Sequence, residues 1–375
     1  MGLAEDFAAA GVLAVAHDKR PDYDFLNHRD FEVLASDANA VIRAVRTRPD
    51  VDAARVGLWG ISEGGRVAPT AAARSSDASF VISVSGPLHS QIRNTTWSID
   101  EGLAAAGAPD GLRGLAARTM GGGRIGSLHQ SPPPEVWRRV RVPALIIYGT
   151  RDVIVPPREG PRVAATELVE GGNAHGSVRW FADADHGISV GGVPAPGYLR
   201  TMTDWIHRLP DGTTDDAPVA GQVPLQRFTS AMPPPLPWYA GAVAHGVTLT
   251  LLMASLVAYA ALSRGGQTTG ERAVARATLA ATTAFVAWWV VIALAIASGY
   301  SRTASPVILN VGWGVARALA LAAGALLGVA GVRACQERTP RRPDSWLRLA
   351  VPARLGIAAA ALALLAQGGA YAVGW

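Results

Sequence analysis

The chain has 375 residues, a formal net charge of +5 and a single cysteine, Cys335. One cysteine excludes an intramolecular disulfide, and no Cys/His cluster with metal spacing and no phosphate-binding glycine loop is present, so neither a metal nor a cofactor is implied. The positive charge resides largely in arginine-rich loops between apolar stretches, which points to anionic lipid at a bilayer and not to nucleic acid.

In chain order, Leu3 to Ala10 reads as a helix and Gly11 to Ala16 as a strand ending at His17-Asp18-Lys19-Arg20, where His17 takes a structural or solvent-facing role. Val56 to Trp59 reads as the next strand. It runs directly into Gly60-Ile61-Ser62-Glu63-Gly64 and then into the Ala-rich helix that begins near Arg66. Gly-x-Ser-x-Gly between a strand and a helix places a serine hydroxyl on a sharp turn, with the two glycines permitting the reversal. Ser79 to Gly86 and Val142 to Thr150 are short apolar β-rich runs of the kind found in buried parallel strands. Asp152 follows the second of these. Val178 to Phe181 precedes Ala182-Asp183-Ala184-Asp185-His186-Gly187, which puts His186 in a loop just beyond a strand.

The order Ser62, Asp152, His186, each past the C-terminal end of an expected parallel strand, resembles the α/β-hydrolase superfamily, in particular its esterase and prolyl-oligopeptidase-like members. The resemblance covers residues 1–209 and is carried by Gly60 to Gly65, by Tyr148-Gly149-Thr150-Arg151-Asp152 with Val155-Pro156-Pro157, and by Asp185-His186-Gly187. It implies an α/β parallel sheet, Ser62 as nucleophile, His186 as its base and Asp152 as the acid that orients the imidazole, with Asp185 as the rival acid. The backbone N–H of Glu63, the residue after the nucleophile, is the implied oxyanion donor. A second donor comes, in the family, from a His/Gly-rich loop after an earlier strand. Residues 3–10 already match the helix after that loop, so the sheet is expected to lack its first strands, either because the true start lies upstream of Met1 or because the domain is truncated at its N-terminus.

Between Gly86 and Val142 an insertion, about residues 88–140, containing Trp97, Leu103, Leu112, Leu115 and Met120, is expected to form a cap whose apolar and aromatic residues roof the substrate, the alternative being a packing excursion without substrate contact. Residues 210–237 are polar and proline-rich and read as a linker. Residues 238–375 read as an all-α transmembrane domain of four helices, at about 239–262, 277–298, 311–332 and 355–373. Arg264, Arg272 and Arg276 lie in one connecting loop and Arg333, Arg338, Arg341, Arg342, Arg348 and Arg354 in another. The positive-inside rule puts both loops and Cys335 in the cytoplasm, and the hydrolase domain outside. An exported domain requires a leader ahead of Met1, a second pointer to an upstream start. Arg317 is expected to snorkel to the interface, and His245 and Gln367 to serve helix packing.

The expected function is a multi-pass, membrane-anchored serine hydrolase that cleaves carboxylic esters through an acyl-enzyme on Ser62. A prolyl-oligopeptidase-like peptidase is one alternative. The other is a catalytically impaired hydrolase-like module with a binding or sensory role. The expected partners are a small-molecule ester and the lipid bilayer, with no nucleic acid and an undetermined oligomeric state.

Overall fold

The computed structural model describes residues 3–25, 27–122, 135–209, 219–232, 242–262, 269–303 and 305–336. These form two compact units, Met1–Ser98 with Arg124–Met232, and Ile99–Gly123 with Pro233–Trp375.

The first unit begins with α1 (Leu3–Ala9), α2 (Phe31–Arg46), β1 (Leu58–Ile61), α3 (Glu63–Ala72) and β2 (Val81–Val84), and helix α4 (Gln91–Ala105) starts in it. After α5 (Asp110–Gly122), which belongs to the second unit, come α6 (Val136–Arg139), β3 (Ala144–Gly149), α7 (Glu159–Glu170) and β4 (Gly176–Phe181). The hairpin strands β5 (Ser189–Val190) and β6 (Val193–Pro194), helix α8 (Tyr198–Arg208) and strand β7 (Val219–Ala220) complete it. Five strands form one parallel sheet in the order β1-β2-β3-β4-β7. All residues of β2 and β3 are buried, as strands covered on both faces must be. On one face Val81, Ile146 and Tyr148 pack against Ala38, Ile42 and Leu168, and on the other Ile82, Leu145 and Ile147 pack against Met202 and Trp205. Each such side chain contributes about 1.5–3 kcal/mol through burial.

Helix α2 starts where Asp30 caps it, accepting from the N–H groups of Glu32 at 2.8 Å and Val33 at 3.2 Å. Its buried Phe31, Leu34, Ala35, Ala38 and Ile42 recur at helical spacing and turn one face to the core. Helix α3 contains Pro69, which has no N–H to give the carbonyl four residues back, that of Gly65. Ser83 of β2 supplies the missing donor, its hydroxyl 2.6 Å from the Gly65 oxygen. The proline therefore ties the helix to its neighbouring strand.

Two expectations are corrected in this unit. Residues 12–16 are not a strand, because no strand among the described residues pairs with them. Their alternation survives without the ladder: Leu13 and Val15 are exposed, while Val12 and Ala14 pack toward the core. The linker also does not extend through 219–232. Val219 and Ala220 pair in parallel with Val178 and Arg179 of β4, and beyond them the chain is clasped by Glu159 at the start of α7. The Glu159 carboxylate accepts from the Ser230 N–H at 2.8 Å, the Ser230 hydroxyl at 3.0 Å, Arg93 at 2.9 Å and Gln226 at 3.3 Å, with His89 Nε2 at 3.0 Å. Proline removes donors from this segment, but Trp97 Nε1 and Arg93 Nε serve its carbonyls at Phe228 and Ser230.

The second unit contains the end of α4, α5, α9 (Ala242–Leu262), α10 (Thr269–Ser301) and α11 (Pro306–Gln336). Among the described residues two helices, not four, are long and apolar enough to cross a membrane: Ala275–Ser301 of α10 and Pro306–Leu326 of α11. Residues 239–241 of the first expected span and all of 355–373 lie outside the described residues. The span in α11 begins five residues earlier than expected, because Pro306 fits the first turn of a helix, where its missing N–H costs nothing. Leu103, Leu112 and Leu115 are buried with Trp288, Ile292, Leu309 and Trp313 in one cluster of this unit, and Met120 packs against it. These four expected roof residues are therefore committed to the helices α10 and α11. Gly102 permits the closest contact, since a Cβ there would lie 2.0 Å from the Gly299 oxygen.

Candidate active site

In a parallel sheet all strands end on one rim, and the three residues singled out from the sequence stand there. Ser62 follows β1 and begins α3 with φ 54° and ψ −114°, a backbone state that a non-glycine residue adopts at a cost. Its N–H is held by the Val84 oxygen at 2.8 Å. Its hydroxyl does not cap α3, as a serine in this position ordinarily would. The hydroxyl is thus left available. Among the described residues the Glu63 N–H at the helix start has no backbone partner outside its own helix either, so a donor of a positive helix end is open beside the serine.

Glycine is required here by close approach. A Cβ on Gly60 would lie 2.1 Å from the Gly64 oxygen, and one on Gly65 2.6 Å from the Val84 oxygen. A Cβ on Gly64 would meet nothing within 4 Å. The sequence pattern assigned the second requirement to Gly64; the packing of α3 on β2 assigns it to Gly65.

Asp152 lies in the turn after β3, its side chain fully buried. Oδ1 accepts from the N–H groups of Ile154 at 2.8 Å and Val155 at 3.0 Å, and Oδ2 from His186 Nδ1 at 2.8 Å. A carboxylate accepts only, so Nδ1 carries the proton and Nε2 is the nitrogen left to act as a base. The rival Asp185 instead caps the histidine loop, its Oδ1 accepting from Gly187 and Ser189 N–H at 2.9 Å each. Asp183 pairs with Arg151 at 2.7 Å. The loop is held in a bent state by Asp183 at φ 57° and Ile188 at φ 56°, the latter a fully buried β-branched residue that anchors it in the core. Gly149 ends β3 against this loop, where a Cβ would lie 2.2 Å from the Ala184 oxygen. The rim therefore joins Asp152 to His186 directly. Ser62 shares the rim, and its hydroxyl makes no hydrogen bond to His186, a distance that in unliganded sites commonly tightens only with substrate bound.

Around Glu63 stands a cluster that the sequence did not announce. Its carboxylate accepts from Lys19 Nζ at 2.5 Å and Tyr23 hydroxyl at 2.6 Å, with Arg29 Nε 2.6 Å away as an ion pair without hydrogen-bond alignment. Burial pushes the Glu63 carboxyl up, but Lys19, Tyr23 and the Arg29 charge outweigh it and hold the pKa below the ordinary value. Arg66, one helical turn beyond Ser62, stacks 3.6 Å over Phe31, and burial together with the Arg29 charge lowers its pKa to about 9. Only Lys19 carried a signal, by standing at an expected strand end. Tyr23 and Arg29 lie in an irregular stretch with none.

The match of the chain to a family of serine hydrolases gives this parallel α/β sheet its class. Within that class the chain belongs to the prolyl oligopeptidase family, whose model matches residues 23–212, half of the chain. Among solved structures it is similar to DcsB in complex with its substrate analogue, at 18% identity and a TM-score of 0.40, covering 55% of this chain and 83% of that one. It is also similar to an acylaminoacyl peptidase of Pyrococcus horikoshii, at 19% identity and a TM-score of 0.33 over 47% of this chain and 27% of that one. A monoacylglycerol lipase of Paleococcus ferrophilus matches at 19% identity and a TM-score of 0.35, over 54% and 86% respectively. No curated sequence matches the chain.

Proposed function

We propose that this serine hydrolase is membrane-anchored and cleaves carboxylic esters through an acyl-enzyme on Ser62. The observation that carries the reading is the Asp152–His186 hydrogen bond of 2.8 Å on the rim where Ser62 presents an uncommitted hydroxyl. Ser62 Oγ attacks the ester carbonyl carbon as its proton passes to His186 Nε2, and Asp152 stabilises the imidazolium. The negative oxygen of the tetrahedral intermediate receives the Glu63 N–H at the start of α3. On collapse, His186 returns the proton to the departing alkoxide. Water then repeats the sequence on the acyl group and frees Ser62.

Esters are favoured because an alkoxide needs less protonation to leave than an amine. Family membership favours a second reading, a peptidase. Hydrolysis of a short-chain p-nitrophenyl ester and of a proline-flanked peptide anilide by the full chain separates the two: faster ester turnover supports the first, and anilide release with a weak ester rate supports the second. No turnover of either would favour the impaired binding module.

Membrane anchoring is supported by two apolar helices with exposed apolar stripes. Val286, Val290 and Leu294 on α10, and Val307, Val311 and Val315 on α11, are each about half exposed or more at four-residue spacing. Water-exposed patches of this kind are rare on soluble proteins. The expected orientation puts the hydrolase unit and the turn between α10 and α11 outside the cytoplasm. In a Cys335→Ser background, Thr303→Cys should react with an impermeant maleimide in intact cells; labelling only after lysis contradicts the orientation.

A further inference from the structure

The residue that follows the serine carries a carboxylate, and its backbone N–H is the donor aimed at the oxyanion. A free carboxylate at that point would repel the negative charge that develops on the substrate oxygen. The Glu63 side chain is only 14% exposed and is gripped from three sides by residues at least 34 positions earlier in the chain: Lys19 at 2.5 Å, Tyr23 at 2.6 Å and Arg29 at 2.6 Å. Arg29 is 3% exposed and is itself fixed by its stacking on Phe25 at 4.3 Å and Phe31 at 4.7 Å. Lys19 lies 3.9 Å over the Tyr23 ring, so the two flexible partners brace each other.

We propose that Lys19, Tyr23 and Arg29 are positioning residues of the hydrolytic site, which fix the Glu63 N–H toward the oxyanion by holding its side chain and cancel the carboxylate charge beside it. This rests on the reading of Ser62 as nucleophile. The arrangement has two consequences. The irregular segment 17–29 becomes part of the machinery, although none of its side chains is assigned a contact with substrate. The cluster also carries more positive than negative charge, with Lys19 and Arg29 against Glu63, which favours an oxyanion over a neutral carbonyl.

The test uses the full chain and a p-nitrophenyl ester. Tyr23→Phe and Lys19→Met should each lower kcat about tenfold with KM within about twofold, since a donor displaced by a fraction of an ångström acts on the transition state alone. Affinity for an alkyl boronic acid, which forms a negative tetrahedral adduct on serine, should fall in parallel. Glu63→Gln, which still accepts from Tyr23, should retain more kcat than Glu63→Ala. A lower thermal midpoint with unchanged kcat and boronate affinity, or a rise in KM alone, would overturn the proposal and leave the cluster a purely structural tie. Wild-type activity in Ser62→Ala would overturn the nucleophile reading and this proposal together. An inactive Ser62→Ala beside fully active Tyr23→Phe and Lys19→Met would overturn the proposal alone.

Discussion

Asp152 holds His186 through one oxygen and is itself held through the other: Oδ2 lies 2.8 Å from Nδ1, while Oδ1 takes the N–H groups of Ile154 and Val155 at 2.8 and 3.0 Å. A buried carboxylate saturated in this way has no freedom to rotate, so the imidazole is presented in one orientation and one tautomer. Asp152→Asn keeps the shape but offers an N–H where an acceptor stood. Its kcat is expected to fall about 10³- to 10⁴-fold, with the circular dichroism spectrum and thermal midpoint little changed.

Gly149→Ala should damage the site without touching any of its functional groups. The new methyl would lie 2.2 Å from the Ala184 oxygen and 2.3 Å from that of Asp185, so the loop carrying His186 must move. Backbone cannot give way as a side chain does. We expect a loss of about 2–4 kcal/mol in urea unfolding and a kcat reduced at least 10²-fold, because misplacing the base by about 1 Å is costly.

Ser83→Ala separates a structural tie from a catalytic one. The Gly65 carbonyl, deprived of its helical donor by Pro69, would lose the Ser83 hydroxyl 2.6 Å away and remain buried and unpaired. The expected cost is about 1–3 kcal/mol of stability. If Pro69→Ala is added, the helix regains its own donor and part of that loss should be recovered in the same unfolding measurement.

Glu159 predicts an acid-sensitive clasp. Burial alone would raise its pKa, but the hydrogen bonds from His89 and from the Ser230 N–H and hydroxyl lower it from 4.5 to about 2. A folded-state pKa below the unfolded one contributes stability that is present above about 4.5 and is lost as the pH falls through about 2. The thermal midpoint of the wild type should therefore fall between pH 5 and pH 2 by more than that of Glu159→Gln. At neutral pH the variant should be the less stable of the two. Amide exchange at Ser230, whose N–H donates to Glu159 at 2.8 Å, should speed up in the variant.

The positions of Ser62, Asp152 and His186 beyond the ends of β1, β3 and β4 were legible in the sequence because each follows a short apolar run, and period and turn chemistry survive in a single chain. Strands β1 to β4 lie where those runs predicted, within two residues at most ends. What failed has common physical causes. Residues 12–16 have the composition of a strand but no partner, and strand formation depends on the partner as much as on the residues. Leu103, Leu112 and Leu115 signalled burial without saying against what, and they pack in one cluster with Trp288 and Trp313. The Glu159 clasp and the grip on Glu63 join residues from 34 to 71 positions apart, a separation that no local pattern encodes. Family membership rests on residues 23–212, so the sequence of α9 to α11 gained no support from it.

The central claim is that Ser62 forms the covalent intermediate, and it is tested most directly by reacting the full chain with a fluorophosphonate and locating the adduct by peptide mass spectrometry. The account predicts one adduct per chain, on the peptide containing Gly60 to Gly65, with ester hydrolysis lost in proportion to labelling and both signals absent in Ser62→Ala. Adduct formation on another residue, or full ester turnover by Ser62→Ala, would contradict it.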